Sequence, residues 1–232
     1  MDVTFSEYVD VLEKGAWFST RSADFKAGIL ERAQIRRLSS GEWLFARGEA
    51  ANGVFAVLEG SIRISGQNVE GKESILTFID PPDWFGELAL FDGEHRTHDA
   101  VAAVNSTLLF LPQKDLVELL ELRPGYWRDF GIMLSHKLRL SFGLIEDMAL
   151  LPAAKRLAKR ILLMAENVLL NHGTSDLVIN VDQASLAAML SVSRQTANQI
   201  LKDLEEQGCL SLRYGKITVL DMDKLRKIAA ST

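Results

Sequence analysis

The chain has 232 residues, of which 47% are hydrophobic and 25% charged, with a formal net charge of −5. That length accommodates two modest domains with separate cores, and the composition is that of an ordinary globular protein. No apolar run reaches the roughly 18–20 residues of a membrane span, residues 1–13 lack the basic-then-apolar order of a secretory signal, and the single Cys209 excludes an internal disulfide or a cysteine-ligated cluster built within one chain.

From Val3 to Ala33 apolar side chains recur at helical steps, as in Tyr8, Val11 and Leu12 and again in Phe25, Ile29 and Leu30. From Ile35 the pattern shortens. Trp43–Phe45, Gly53–Leu58, Ser61–Ser65, Ser74–Ile79, Asp99–Val104 and Thr107–Leu111 are predicted strands, separated by Gly, Asn and Asp. Short strands at such even spacing predict an antiparallel barrel or jelly roll. Gly41, Gly48, Gly53, Gly60, Gly66 and Gly71 fall at the expected turns, where a positive φ favours glycine. His95 and His98 flank a predicted turn and strand instead of sharing a helical face, so no metal site is expected.

Helical spacing returns at Leu116, Leu119 and Leu120, and that helix should stop before Pro124. A long helix is predicted from Tyr126 to Leu151. Its apolar residues Trp127, Phe130, Leu134, Leu138, Ile145 and Met148 form a stripe broken only by Ser141. Two surfaces could cover it: the chain's own β-domain, or the same helix of a second copy. The dimer seam is preferred, because one small β-domain cannot readily cover a helix about 40 Å long. Pro152 ends the helix and marks the expected hinge.

Beyond Pro152 the charge changes sign: 11 basic and 8 acidic residues, net +3, against 15 and 23, net −8, before it. Asp182 is placed to N-cap a short helix, Gln183–Leu190; Ser191-Val192 makes a tight turn; Ser193 caps a second helix that runs to Gln207 and stops at Gly208. Ala197, Ile200, Leu201 and Leu204 should face inward, leaving Arg194, Gln195, Asn198, Gln199 and Lys202 outward. Gln and Asn can pair bidentately with adenine, and Arg and Lys reach guanine or phosphate. Leu210–Leu212 and Ile217–Leu220 then read as a two-stranded wing whose tip carries Arg213 and Lys216. Helix, turn, helix and basic wing point to double-stranded DNA. Cys209, just past the second helix, reads as a small core residue, with a redox switch as the alternative.

Back in the β-domain, Phe85-Gly86-Glu87-Leu88-Ala89-Leu90 is followed by Arg96-Thr97. This spacing resembles the phosphate-binding cassette of cyclic-nucleotide-binding domains. A helix turn starting at Gly86 would offer backbone N–H groups to an anion. Arg96 would hold a phosphate through its planar fork, and Glu87 would accept a ribose hydroxyl. If the site binds a phosphate, Arg96 is expected to serve the ligand more than the fold.

The order of parts, with Gly41-Glu42, Phe55 to Gly60 and Val192-Ser193-Arg194-Gln195-Thr196 as further matches, makes the chain resemble the Crp/Fnr superfamily of bacterial regulators over nearly its whole length. The resemblance implies an α+β protein: an N-terminal antiparallel β-roll (jelly-roll-like, a double-stranded β-helix) over residues 1–124, a long dimerisation helix over 125–151, and a C-terminal winged helix-turn-helix over 152–232. It implies a cytoplasmic homodimer with no enzymatic activity, on a palindromic operator, in contact with RNA polymerase and controlled by a small effector. Cyclic AMP or another cyclic nucleotide is the family's implied effector class, with no metal or iron–sulfur cluster expected. Carried over by position, Gly86, Glu87, Leu88, Arg96 and Thr97 would line the effector pocket, and the partner subunit's Ser141 would lie near the base. On the DNA side the resemblance adds Ser193 and Thr196, with Arg194, Gln195 and Gln199 as the main base readers. Two departures stand out: His98-Asp99 brings a carboxylate beside a phosphate site, and Phe142 replaces a hydroxyl expected after Ser141. The readings left open are a regulator with another effector or none, its Glu87 and Arg96 forming an internal ion pair, and a nucleotide-binding module that acts through protein contacts alone.

Overall fold

The computed structural model describes residues 3–71, 73–172 and 177–230. The chain divides into two compact units, one built mainly of residues up to Arg139 and the other mainly of residues from Leu140 on.

The first unit opens with helices α1 (Val3–Glu13) and α2 (Ala23–Arg32). Ser22 starts α2 by accepting the Phe25 N–H on its hydroxyl. Eight strands follow: β1 (Gln34–Leu38), β2 (Trp43–Phe45), β3 (Gly53–Glu59), β4 (Ile62–Gln67), β5 (Glu73–Ile79), β6 (Trp84–Phe85), β7 (Asp99–Ala102) and β8 (Ser106–Pro112). They form two four-stranded sheets, ordered β1-β8-β3-β6 and β2-β7-β4-β5, antiparallel in every register described. This is the expected β-roll. The sequence reading did not resolve β1 or β6, and Gly66 lies inside β4 instead of at a turn.

Strand β3 is buried from Gly53 to Leu58 because both of its faces are covered. Val54, Ala56 and Leu58 join a helix-side core with Leu12, Phe18, Phe25, Ile29 and Leu116, while Phe55 and Val57 point into the roll. A strand covered on both faces reads as a continuous apolar run. Inside the roll, Phe55 stacks on Phe110 at 4.9 Å and on Phe85 at 5.5 Å, with Phe45 at 6.0 Å. Aromatic side chains fill this interior.

After α3 (Leu88–Asp92) and α4 (Gln113–Leu122) comes the long helix α5 (Tyr126–Leu150). Its first turns belong to the roll's own core: Phe130 and Met133 are buried there, with Tyr126, Trp127 and Ile132 packed against them. Arg21 ties α5 down through Asp129 at 2.5 Å, and Trp17 donates its indole N–H to the Asp129 carbonyl. The stripe proposed as one dimer seam is therefore divided. Trp127 and Phe130 are used within the chain, whereas Leu138, Leu140, Phe142, Ile145, Met148 and Leu150 are exposed.

The second unit holds α6 (Ala153–His172), β9 (Leu177–Ile179), α7 (Gln183–Leu190), α8 (Arg194–Glu206), β10 (Leu210–Arg213), β11 (Lys216–Val219) and α9 (Met222–Ala230). α6, β9 and α9 were not resolved in the sequence. The strands form one antiparallel sheet, ordered β10-β11-β9. α6 buries Leu157, Ala158, Ile161 and Ala165 and packs against α7, α8, α9 and β9. Arg156 on α6 donates to the carbonyls of Met148, at the end of α5, and Leu190, at the end of α7. Lys159 pairs with Asp147 at 2.5 Å. The last turns of α5 are thereby fastened to α6.

Candidate functional site

The cassette begins where β6 delivers the chain to Gly86, whose φ is +91°. Glu87 precedes the five residues of α3, and Gly93 ends that helix in the left-handed conformation. Arg96 is buried, 5% exposed. Its Nη1 donates to the Gly86 carbonyl at 2.9 Å, and its Nη2 donates to the Gly53 carbonyl at 2.8 Å and to Asn52 Oδ1 at 3.0 Å. The guanidinium lies 4.2 Å from the centre of the Phe45 ring, a cation–π distance. Its Nε is buried without an acceptor among the described residues. Burial lowers the Arg96 pKa from its ordinary value, opposed by the charges of Glu87 and Glu49; an arginine stays charged regardless.

Glu87 is 3% exposed, and its partner is Lys137 of α5, at 2.7 Å. The internal Glu87–Arg96 ion pair weighed from the sequence is not what forms. Arg96 bonds two carbonyls and an amide, and Glu87 takes the lysine. Leu88 and Thr97 are exposed, and the Thr97 hydroxyl is 2.9 Å from His98 Nδ1. Asp99 accepts the Arg47 backbone N–H at 2.7 Å. Ser141 is exposed on α5, outside the unit that carries the cassette.

A cyclic phosphate needs free N–H groups at its oxygens. Here three N–H groups of the arginine that should supply them are bonded to the chain, and the roll beside it is filled with phenylalanine. The residues as arranged do not fit an anionic nucleotide. Arg96 bridges the start of β3 and Gly86 through these bonds.

Lys137 and Asn52 were missed in the sequence. Lys137 carried a signal, since it follows Phe130 and Met133 on one helical face, and a lysine there implies a buried partner. Asn52 carried none.

The second site is the outer face of α8. Asp182 caps α7 by accepting the Ser185 N–H at 2.7 Å, and Ser191, at φ +54°, turns the chain. Ser193 caps α8 by accepting the Thr196 N–H at 3.0 Å. Ala197, Ile200, Leu201 and Leu204 are buried, and Arg194, Gln195, Thr196, Gln199 and Lys202 are exposed. Asn198 departs from the expected outward set: it is half-buried, and its Oδ1 lies inside without a hydrogen-bond partner among the described residues. Gln199 donates to Asp203 Oδ1 at 2.8 Å. In the wing, Arg213 and Lys216 pair across β10 and β11, both exposed, around a fully exposed Tyr214 that the sequence reading passed over. Cys209 is buried. Among the described residues there is no cluster of metal-ligand side chains, and no helix is long and apolar enough to cross a membrane.

A cyclic nucleotide-binding domain model matches residues 35–123, and a Crp-like helix-turn-helix domain model matches residues 155–228. The chain is 31% identical to the transcriptional regulator SdrP of Thermus thermophilus, over 76% of this chain and 84% of that protein. It is 24% identical to a CRP-like cAMP-activated global transcriptional regulator of Mycobacterium tuberculosis, over 95% of this chain and 99% of that one. Among solved structures, FixK2 from Bradyrhizobium japonicum shares the fold, with a TM-score of 0.77 at 19% identity over 86% of this chain and 98% of its own.

Proposed function

Because the chain belongs to the Crp/Fnr superfamily of transcription regulators, we propose that it works as a homodimer that lays two copies of α8 into successive major grooves of a palindromic operator. The observation that carries this is the outer face of α8, where Arg194, Gln195, Thr196, Gln199 and Lys202 are all exposed beside the basic wing tip of Arg213 and Lys216. The amides and Arg194 read base edges, while Ser193, Lys202 and the wing hold phosphates. Asn198, half-buried, contributes less than its neighbours. Two-fold symmetry requires half-sites about one helical turn apart.

The pairing surface in this reading is the exposed half of the α5 stripe, Leu138 to Met148. Residues 1–124 form the regulatory part, 125–151 the pairing helix and 152–232 the DNA-binding part. Contact with RNA polymerase and a cytoplasmic location follow from the same role. A cyclic nucleotide is the effector class that the matched domain and the cAMP-activated relative suggest. It would meet Gly86, Glu87, Leu88, Arg96 and Thr97, with Ser141 of the partner subunit near the base. The engaged state of Arg96 and Glu87 stands against that assignment.

The test is selection of bound sequences from random DNA with the purified full chain, followed by anisotropy titrations on the selected site. A palindrome bound by a dimer is the expected result. Enrichment of no sequence would overturn the reading.

A further inference from the structure

We infer that the Gly86–Thr97 cassette is closed from within, Lys137 standing at Glu87 where an effector would otherwise be held, so that operator binding needs no cyclic nucleotide. This rests on the operator-binding reading above and concerns its regulation.

Arg96 comes first. Three of its N–H groups are bonded to Gly86, Gly53 and Asn52 at 2.8–3.0 Å. Turning it toward a phosphate would strip donors from buried carbonyls and lift the guanidinium off the Phe45 ring. Gly86 is shaped for the same arrangement, since a Cβ there would sit 2.9 Å from Arg96 Nη1 and 3.2 Å from the Gly53 carbonyl. In this chain the cassette glycine makes room for the arginine.

Glu87 comes second. Its carboxylate is almost wholly buried and has a cation at 2.7 Å. A ribose hydroxyl offers a neutral hydrogen bond in place of a charged partner, so displacing Lys137 would leave a buried carboxylate poorly compensated. The surroundings add to this. Glu49 and Glu87 both act on Arg96, Asp99 follows three residues later, and the interior next to Arg96 is occupied by Phe45, Phe55, Phe85 and Phe110. Lys137 lies on α5, so the closed cassette is joined to that helix by the chain's own side chain.

The experiment uses the full chain, freed of nucleotide by unfolding and refolding. Calorimetry with cyclic AMP, cyclic GMP and cyclic di-GMP is expected to show no saturable heat, and affinity for the selected operator should be the same with and without each nucleotide. Saturable binding, or a tightening on DNA of roughly tenfold or more, would overturn the closure. Absence of operator binding under every condition would overturn the operator-binding reading, and calorimetry would still decide the closure. For the lysine, Lys137→Met should lower the melting midpoint by several degrees, and adding Glu87→Gln should recover part of that loss, because the unpaired charge is then gone. Equal midpoints for wild type, single and double variants would remove Lys137 from the proposal.

Discussion

The guanidinium Nη1 of Arg96 lies 2.9 Å from the point where a Cβ on Gly86 would be built, closer than a side-chain carbon approaches a nitrogen. With φ at +91°, Gly86 also holds a backbone conformation that L side chains rarely adopt. Gly86→Ala should therefore destabilise the roll by about 1–3 kcal/mol, read as a shift in the urea midpoint. A variant as stable as wild type would mean that Arg96 moves aside freely, and the bridge would lose its support.

Arg96→Ala removes the donor from three acceptors at the core of the cassette. The expected loss of folding stability is on the order of 3 kcal/mol. Arg96→Lys should recover little, since a single ammonium cannot span the same fork. Chemical denaturation of all three proteins would settle it: a loss below about 0.5 kcal/mol, the range of an ordinary surface substitution, would return Arg96 to a ligand-binding role.

The two halves of α5 should respond differently. Phe130 is fully buried in the core of its own unit, so Phe130→Ala should cost about 3–5 kcal/mol of stability. Leu138 is half exposed, so Leu138→Glu should leave the fold of the monomer nearly unchanged while placing charge in the proposed seam. Sedimentation at micromolar concentration should show wild-type dimers and Leu138→Glu monomers. Two equally dimeric proteins would move the interface elsewhere.

Burial, with Arg47 in support and Asp99 opposed, lowers the pKa of His98 below that of a free imidazole. Between that lowered value and 6.5 the unfolded chain carries a proton on this residue that the folded chain does not. The sign follows: the contribution is complete above the unfolded value and is lost as pH falls through the window. Melting midpoints of wild type should drop as pH falls below about 6.5 more steeply than those of His98→Gln. Parallel curves would show that His98 titrates alike in both states.

On the DNA side, uncharged and charged contacts should separate. Gln195→Ala and Gln199→Ala should each cost about 1–3 kcal/mol on the selected operator and little on random DNA. Lys216→Ala should weaken every sequence alike and lower the salt slope by about one unit. Unchanged sequence preference in both glutamine variants would take α8 out of the major groove.

The kind and order of elements were legible in the sequence because their signals are local. The bounds of α7 agree with the sequence reading, and those of α8 to one residue, because Asp182 and Ser193 are caps whose hydroxyl or carboxylate serves an N–H three residues on. The run from Gly53 to Leu58 read as a strand from its local pattern. What no local pattern reveals is which distant group satisfies which charge. Arg96 finds two of its three acceptors 43 and 44 residues back, and Glu87 finds its lysine 50 residues on. Nor does periodicity say what covers a stripe. Phe130 and Leu138 recur at the same helical steps, yet one is sealed in its own unit and the other is exposed, because the roll reaches only the first turns of α5. The sequence determined a β-roll, a long helix and a winged helix-turn-helix. Tertiary packing alone decided that the cassette's charged groups are spent inside the chain, since burial forces each to take the nearest compensating partner that the fold supplies.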